Sequence, residues 1–146
     1  MVISSPVFEN NTKIPLDYSC DGPGINPPLL FLDVPEITQS LALIVEDPDA
    51  PSGTFIHWVV YNIDPKTEEV TEGSVPKGGI EGLNTAGEAK FRPPCPPNGE
   101  HRYIFKLYAL DTTLDLPEGS TKEEIEESIK GHIIDTAELT GLYNRT

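Results

Sequence analysis

The sequence predicts a mainly β fold with one helix near the C-terminus, and three observations support this. Fifteen prolines and twelve glycines are spread through the 146 residues without a period, as is typical of turns in a loop-rich β protein. Apolar runs of strand length recur between these turns. Only one segment, which begins near Ser120, carries apolar residues at helical spacing.

Five short apolar runs are predicted to be strands because turn residues bound them and the longer ones are rich in Val, Ile, Phe and Tyr. These runs are residues 2–8, 29–32, 41–45, 55–63 and 103–110. The region from Asp64 to Arg92 shows little apolar periodicity. We therefore expect that region to run over the surface, where such segments are often functional or mobile.

The helix is predicted from Ser120, because Ser120 and Glu123 have the spacing of a capping box. Ile125, Ile129 and Ile133 follow at i, i+4 and i+8, which forms one narrow apolar stripe. Since Gly131 interrupts this stripe, we expect the helix to end or bend there. The stripe predicts an amphipathic helix that covers a sheet.

Composition excludes several classes of function for a chain whose length suits one domain over residues 1–146. The formal net charge of −14 repels the phosphates of nucleic acids and of anionic membranes. No stretch approaches the roughly 20 apolar residues that cross a bilayer, and the first residues lack the features of a signal peptide. We expect a cytoplasmic protein that binds no nucleic acid and is not integral to a membrane.

The two cysteines, Cys20 and Cys95, are too few for a disulfide scaffold and form no CxxC pair. A reduced protein is therefore the expectation, with a Cys20–Cys95 bridge as the open alternative. No motif in the sequence calls for a cofactor.

Polar side chains occur near the ends of three predicted strands. Side chains alternate between the two faces of a strand, which places Asp47, His57 and His101 on the apolar-facing side. By the same rule His57 shares its face with Phe55, Val59 and Tyr61. Strand ends on one face can open a pocket, so we expect a pocket there with buried polar groups.

The expected pocket chemistry follows from the cost of burying a charge. An unpartnered buried carboxylate is strongly destabilising, so Asp47 should pair with a histidine. Such a pair favours the imidazolium ion, whose N–H groups suit a phosphate or carboxylate ligand. Taken singly, a strand histidine or Tyr103 is more often a core residue, and Asp before Pro is often a turn former. Their combination at strand ends, with a proline-rich rim at residues 93–97, favours the pocket.

These residues belong to a series of motifs that runs through the chain. In order they are Tyr18-Ser19-Cys20-Asp21-Gly22, Pro27-Pro28-Leu29, Asp47-Pro48-Asp49-Ala50-Pro51, His57-Trp58, Cys95-Pro96-Pro97, His101-Arg102-Tyr103, Gly131-His132, Ala137-Glu138-Leu139 and Tyr143. Together they resemble the phosphatidylethanolamine-binding protein family, with a closer likeness to its bacterial and archaeal Raf-kinase-inhibitor-like branch. The resemblance covers essentially the whole chain.

The resemblance implies a Greek-key β-sandwich with a C-terminal helix and a small anion-binding cavity. The implied ligand-binding residues are Asp47, His57, Cys95, Pro96, His101 and Tyr103, with Asp49, Pro51 and Pro94 in structural roles at the pocket edge. It implies a non-enzymatic protein that holds a small anionic or phosphorylated ligand, such as a phosphoethanolamine-like group. Some family members inhibit kinases or proteases and prokaryotic members often form homodimers, so both kinds of partner are expected here.

The sequence departs from the family pattern just before Cys95. Family members usually carry Tyr, a spacer and Gly-Pro there, whereas this chain has Phe91-Arg92-Pro93-Pro94. Pro93 removes a backbone N–H and stiffens the rim. Phe91 lacks a phenol, and Arg92 offers its guanidinium donors instead.

Two other functions fit the same residues. The first is an acid–base or metal-assisted hydrolase or lyase that uses Asp47 and the histidines, although no nucleophile motif or metal-ligand spacing supports it. The second is a protease or kinase inhibitor that acts through an exposed segment within residues 64–90.

Overall fold

The computed structural model describes residues 1–145 as two β-sheets and one α-helix. The strands of this part of the chain are β1 (Val2–Ser4), β2 (Thr12–Lys13), β3 (Leu29–Leu32), β4 (Ser40–Asp47), β5 (Phe55–Ile63), β6 (Glu69–Val70), β7 (Ile80–Glu81), β8 (His101–Leu110) and β9 (Ile133–Tyr143). The helix α1 is Lys122–Ile129, and a short 3-10 helix is Leu16–Tyr18. The predicted mainly β fold with a single α-helix is confirmed.

The two sheets face each other across the main core. The larger sheet has the order β2-β9-β8-β4-β5-β7, and the smaller has the order β1-β3-β6. Buried side chains from both sheets, such as Phe31, Val45 and Phe105, pack together between them. A second core lies on the other face of the larger sheet, where Ile44 and Ile125 meet beneath α1. The fold is therefore a sandwich with a helix as a third layer.

The strand β9 was not predicted from the sequence. It pairs antiparallel with β8 over its whole length, from His101 opposite Tyr143 to Leu110 opposite Ile133. Only its last part alternates between buried and partly exposed residues, and one of the buried positions is Gly141. The apolar signal is therefore weak, although the pairing places β8 in the middle of the sheet.

The helix begins one residue later than the sequence predicted. Thr121 is the N-cap: its Oγ1 accepts the Glu124 N–H at 3.2 Å, and the Glu124 side chain accepts the Thr121 N–H at 3.1 Å. Ser120 is not the cap because its hydroxyl donates to the Pro117 carbonyl at 2.8 Å. Ile133 lies outside the helix, in β9. Within residues 1–145, no helix has the length and apolar character needed to cross a membrane.

A β-bulge in β5 changes the face on which His57 lies. Val45 pairs with Trp58 and Glu46 pairs with Ile56, so His57 is an extra residue opposite this step of β4. Beyond the bulge, Val59 belongs to the core beneath the helix. The prediction that His57 shares a face with Val59 and Tyr61 is therefore wrong, because a bulge interrupts the alternation on which it rested.

We expect Gly141→Ala to destabilise the fold, because Gly141 lets β9 approach the segment after β2 closely. A Cβ at this position would overlap Ile14 Cγ1 and lie 2.9 Å from Phe8 Cε2, and both side chains are buried. The overpacking should lower the free energy of unfolding by about 1–3 kcal/mol in urea denaturation. The exposed Thr136→Ala on the same strand should cost about 0.5 kcal/mol. Equal losses would contradict this account of β9.

Candidate ligand-binding site

A cavity of about 180 Å³ opens at the end of the larger sheet, where β4 ends and β5 and β8 begin. All six predicted ligand-binding residues line it, namely Asp47, His57, Cys95, Pro96, His101 and Tyr103. A larger open groove of about 690 Å³ lies beside β3, but its lining contains no histidine. We therefore centre the candidate site on the smaller cavity.

Asp47 is the buried carboxylate at the base of the cavity, with 3% of the residue exposed. Its Oδ2 lies 2.7 Å from His101 Nδ1, and its Oδ1 accepts the Asp49 N–H at 2.7 Å. Both oxygens therefore have internal donors, as a buried carboxylate requires. The contacts give Asp47 an orienting role.

His101 is held with a defined ring nitrogen free. A carboxylate can only accept hydrogen bonds, so the contact with Asp47 places a proton on His101 Nδ1. Nε2 is then the nitrogen left for another partner. The predicted Asp–His contact therefore forms with His101.

His57 is oriented by backbone groups instead of a carboxylate. Its Nδ1 donates to the Arg92 carbonyl at 2.7 Å, and the Arg92 N–H donates to the His57 carbonyl at 2.9 Å. The ring lies between those of Phe55 and Tyr103, with centroid distances of 4.7 and 5.2 Å. Burial lowers the pKa of His57, and the Arg92 hydrogen bond and the charge of Asp47 only partly oppose this. At neutral pH the ring is therefore mainly neutral, with the proton on Nδ1.

Tyr103 supplies a hydroxyl that keeps its proton. Burial raises the pKa of Tyr103, and the nearby charges of Asp47 and Asp49 raise it further. The side chain is a hydrogen-bond donor over the whole physiological pH range.

The predicted pocket-edge residues take different positions. Pro51 lines the cavity, whereas Asp49 and Pro94 do not. Asp49 lies behind the wall and pairs with Arg102 through both carboxylate oxygens, at 2.8 and 3.0 Å. This pairing lowers the pKa of Asp49 to about 2. The Pro94 carbonyl accepts the Cys20 N–H at 3.0 Å.

Cys20 and Cys95 form a disulfide, with their Cα atoms 5.4 Å apart. The expectation of a reduced protein is therefore wrong, and the open alternative is the one observed. The bridge attaches one wall of the cavity to the segment that follows the 3-10 helix. The cytoplasmic location stays a prediction and loses the support it drew from free cysteines, because disulfides are rare in most reducing compartments.

Comparison with known proteins places the whole of this architecture in one family. The family described as phosphatidylethanolamine-binding protein matches residues 4–144. The chain belongs to the phosphatidylethanolamine-binding protein family. Its relatives place it in the bacterial and archaeal branch, as the resemblance of its motifs predicted.

Two relatives and two solved structures show how close this likeness is. UPF0098 proteins of Chlamydia trachomatis and Methanothermobacter thermautotrophicus are 50% and 46% identical, each alignment covering 99% of both chains. The crystal structure of a putative phosphatidylethanolamine-binding protein homologue from Chlamydia trachomatis has a TM-score of 0.96 at 49% identity, covering 99% of this chain and 97% of that one. Escherichia coli YbcL, described as a member of the mammalian family, has a TM-score of 0.90 at 29% identity, covering 99% of this chain and 98% of its own.

The structure accounts for the departure of this chain from the family pattern at the rim. Phe91 packs edge-on against Trp58, with ring centroids 5.5 Å apart, and does not line the cavity. Arg92 does line it, while its guanidinium reaches Glu88 at 3.4 Å. Arg92 therefore acts at the rim through the carbonyl that orients His57.

Sequence reasoning left several lining residues out of the predicted site. These are Ala50, Phe55, Arg92, Pro93 and Pro97. Phe55 could have been found because it lies two residues before His57 and so on the same side of a strand. Nothing in the sequence predicts the contact between Arg92 and His57, because Arg92 makes it with backbone atoms. Residues 1–145 contain no group of three or more His, Cys, Asp or Glu side chains that could hold a metal ion.

We expect Asp47→Asn to lower the free energy of unfolding by about 1.5–3 kcal/mol, since an amide has one acceptor oxygen for two N–H donors. Asp111 is a matched control. It meets His132 Nδ1 at the same 2.7 Å, but both side chains are about half exposed. Asp111→Asn should cost less than about 1 kcal/mol. If guanidinium denaturation shows equal losses, burial of Asp47 is not what makes its contact important.

Proposed function

We propose that this protein is a non-enzymatic binding protein whose cavity holds a small phosphate-like anion. The observation that carries the proposal is that His57 and His101 line one cavity, each with Nδ1 held by an internal acceptor. Each Nε2 is thereby left for a ligand. The volume of about 180 Å³ is below the roughly 300–1,000 Å³ typical of larger organic ligands, so it suits a single anionic group.

Binding of an anion would use three donors. Protonated Nε2 atoms of His57 and His101 each donate one hydrogen bond, and the Tyr103 hydroxyl donates a third. Asp47 holds the His101 ring in place through Nδ1. Because burial lowers the pKa of His57 in the free protein, an anion that favours the charged ring must take up a proton as it binds.

Two contacts favour binding over catalysis. The Cys95 sulfur is part of a disulfide and is not a free nucleophile. Both oxygens of Asp47 already accept hydrogen bonds from the protein, which leaves no obvious general base apart from the histidines.

The family resemblance extends this proposal to a partner. We expect the loaded protein to regulate a kinase or a protease, to form a homodimer and to be cytoplasmic. The alternative of a surface-loop inhibitor concerns residues 64–90, in which residues 71–75 are exposed but other positions are held within the fold. Val70 and Asn84 in that region are buried, and the Asn84 side chain accepts the Glu88 N–H at 3.0 Å and donates to the Lys90 carbonyl at 2.9 Å.

We expect sulfate to bind more tightly as the pH falls, with an affinity at about pH 5.5 at least tenfold higher than at about pH 8. Sulfate keeps its charge over this range, so the change reports on the protein. The sign follows from His57: its pKa is low in the free protein and rises when an anion binds, so protonation and binding favour each other. Isothermal titration calorimetry at the two pH values measures the effect.

The variant His57→Gln tests which residue is responsible. Glutamine can still donate to the Arg92 carbonyl but cannot carry a charge, so sulfate affinity at the lower pH should fall about 10- to 100-fold. His132→Gln is the control, because His132 is about half exposed and pairs with Asp111 outside the cavity. Unchanged sulfate affinity in His57→Gln would falsify the proposal.

A further inference from the structure

We propose that the Cys20–Cys95 disulfide is an accessible thiol-exchange site that regulates the anion cavity. Reduction by a small thiol would release one wall of the cavity and weaken anion binding. This inference rests on the proposed function, since it concerns the regulation of that same site. It is carried by two observations: how the wall is attached to the protein, and how exposed its attachment is.

The wall in question is the proline rim, residues 93–97, which supplies four lining residues of the cavity. Four of its five residues are prolines, which have no N–H to donate. Within the described chain, a single hydrogen bond joins residues 93–100 to other segments, from the Cys20 N–H to the Pro94 carbonyl. Cys20 makes both this hydrogen bond and the disulfide, and the buried Pro94 and Pro96 add packing contacts.

Both ends of this segment are anchored, so the disulfide restrains the residues between them. Arg92 exchanges two hydrogen bonds with His57 immediately before the rim, and β8 begins at His101 after it. Gly99, with φ of 70°, gives the connection a turn that most residues disfavour. Without the disulfide, one hydrogen bond and the packing of the buried Pro94 and Pro96 would hold the middle of this segment.

Cys20 is attached to the larger sheet through its neighbour in the chain. The neighbouring Asp21 accepts a hydrogen bond from the Tyr143 hydroxyl at 2.6 Å, and Arg145 pairs with the same carboxylate at 3.0 Å. Tyr143 is buried at the end of β9. The bridge therefore ties the rim to the larger sheet and restrains its position.

The disulfide is open to attack because Cys20 and Cys95 are both exposed residues. Exposed disulfides are typically the labile or regulatory ones, whereas buried ones resist exchange. We therefore expect a thiolate to reach the bridge without unfolding of the cavity core.

The exchange is balanced with two equivalents of a thiol. One thiolate attacks a sulfur of the bridge, the S–S bond breaks, a mixed disulfide forms, and the other cysteine leaves as a thiolate. A second thiolate then attacks the mixed disulfide and releases the second cysteine. Two thiols are oxidised to one disulfide, and the two electrons reduce Cys20 and Cys95.

The test measures sulfate affinity in the oxidised protein, in the protein reduced by dithiothreitol, and in the double variant Cys20→Ser/Cys95→Ser. If the free rim adopts its binding position about one tenth of the time, the last two should bind about tenfold more weakly. Fluorescence of the buried Trp58 reports that the fold is retained. Thr121→Ala, which weakens the cap of α1 away from the rim, is the control for a general loss of stability and should bind like the oxidised protein.

Each other outcome is informative. Equal sulfate affinity in the oxidised and reduced proteins overturns this inference and leaves the proposed function standing. Absence of sulfate binding by the oxidised protein overturns both. Alkylation followed by mass spectrometry counts the free thiols. If dithiothreitol opens the bridge only when Trp58 fluorescence shows unfolding, the bridge is structural and the inference is overturned.

Discussion

The burial of one carboxylate, that of Asp47, organises the site. A carboxylate that is 3% exposed must be given hydrogen-bond donors or it destabilises the fold. The two donors come from different parts of the chain, His101 at the start of β8 and the backbone of Asp49 after β4. The hydrogen bonds to Asp47 therefore fix the loop that follows β4 and the orientation of His101.

The second histidine is placed by backbone geometry. The extra residue in β5 turns His57 toward Tyr103, and the Arg92 carbonyl then holds Nδ1. The two rings are thus oriented by chemically different acceptors, a carboxylate and a carbonyl. For His57, burial lowers the pKa of the ring despite the carbonyl contact, so we expect this ring to stay neutral until a ligand brings negative charge. The proposed binding of an anion would therefore depend on pH through His57.

Much of the fold and of the candidate site could be predicted from the sequence. The limits of β3 and β5 matched the apolar runs, and the predicted pocket residues line one cavity. Short-range patterns failed where the structure depends on contacts that are distant in the chain. The bulge at His57 is visible only in the pairing of β5 with β4. The segment β9 is a strand because it pairs with the free edge of β8. The two cysteines of the Cys20–Cys95 bridge are 75 residues apart in the chain, and no local spacing in the sequence predicts their pairing.

The most direct test of the account is a nuclear magnetic resonance titration of His57, followed through its ring protons with and without sulfate. We expect the pKa of His57 in the free protein to lie below the ordinary histidine value of about 6.5, because the ring is buried. We also expect that sulfate raises the pKa of His57, while the exposed His132 titrates alike in both samples. A His57 titration that sulfate leaves unchanged would contradict the claim that this cavity binds anions by charging the ring.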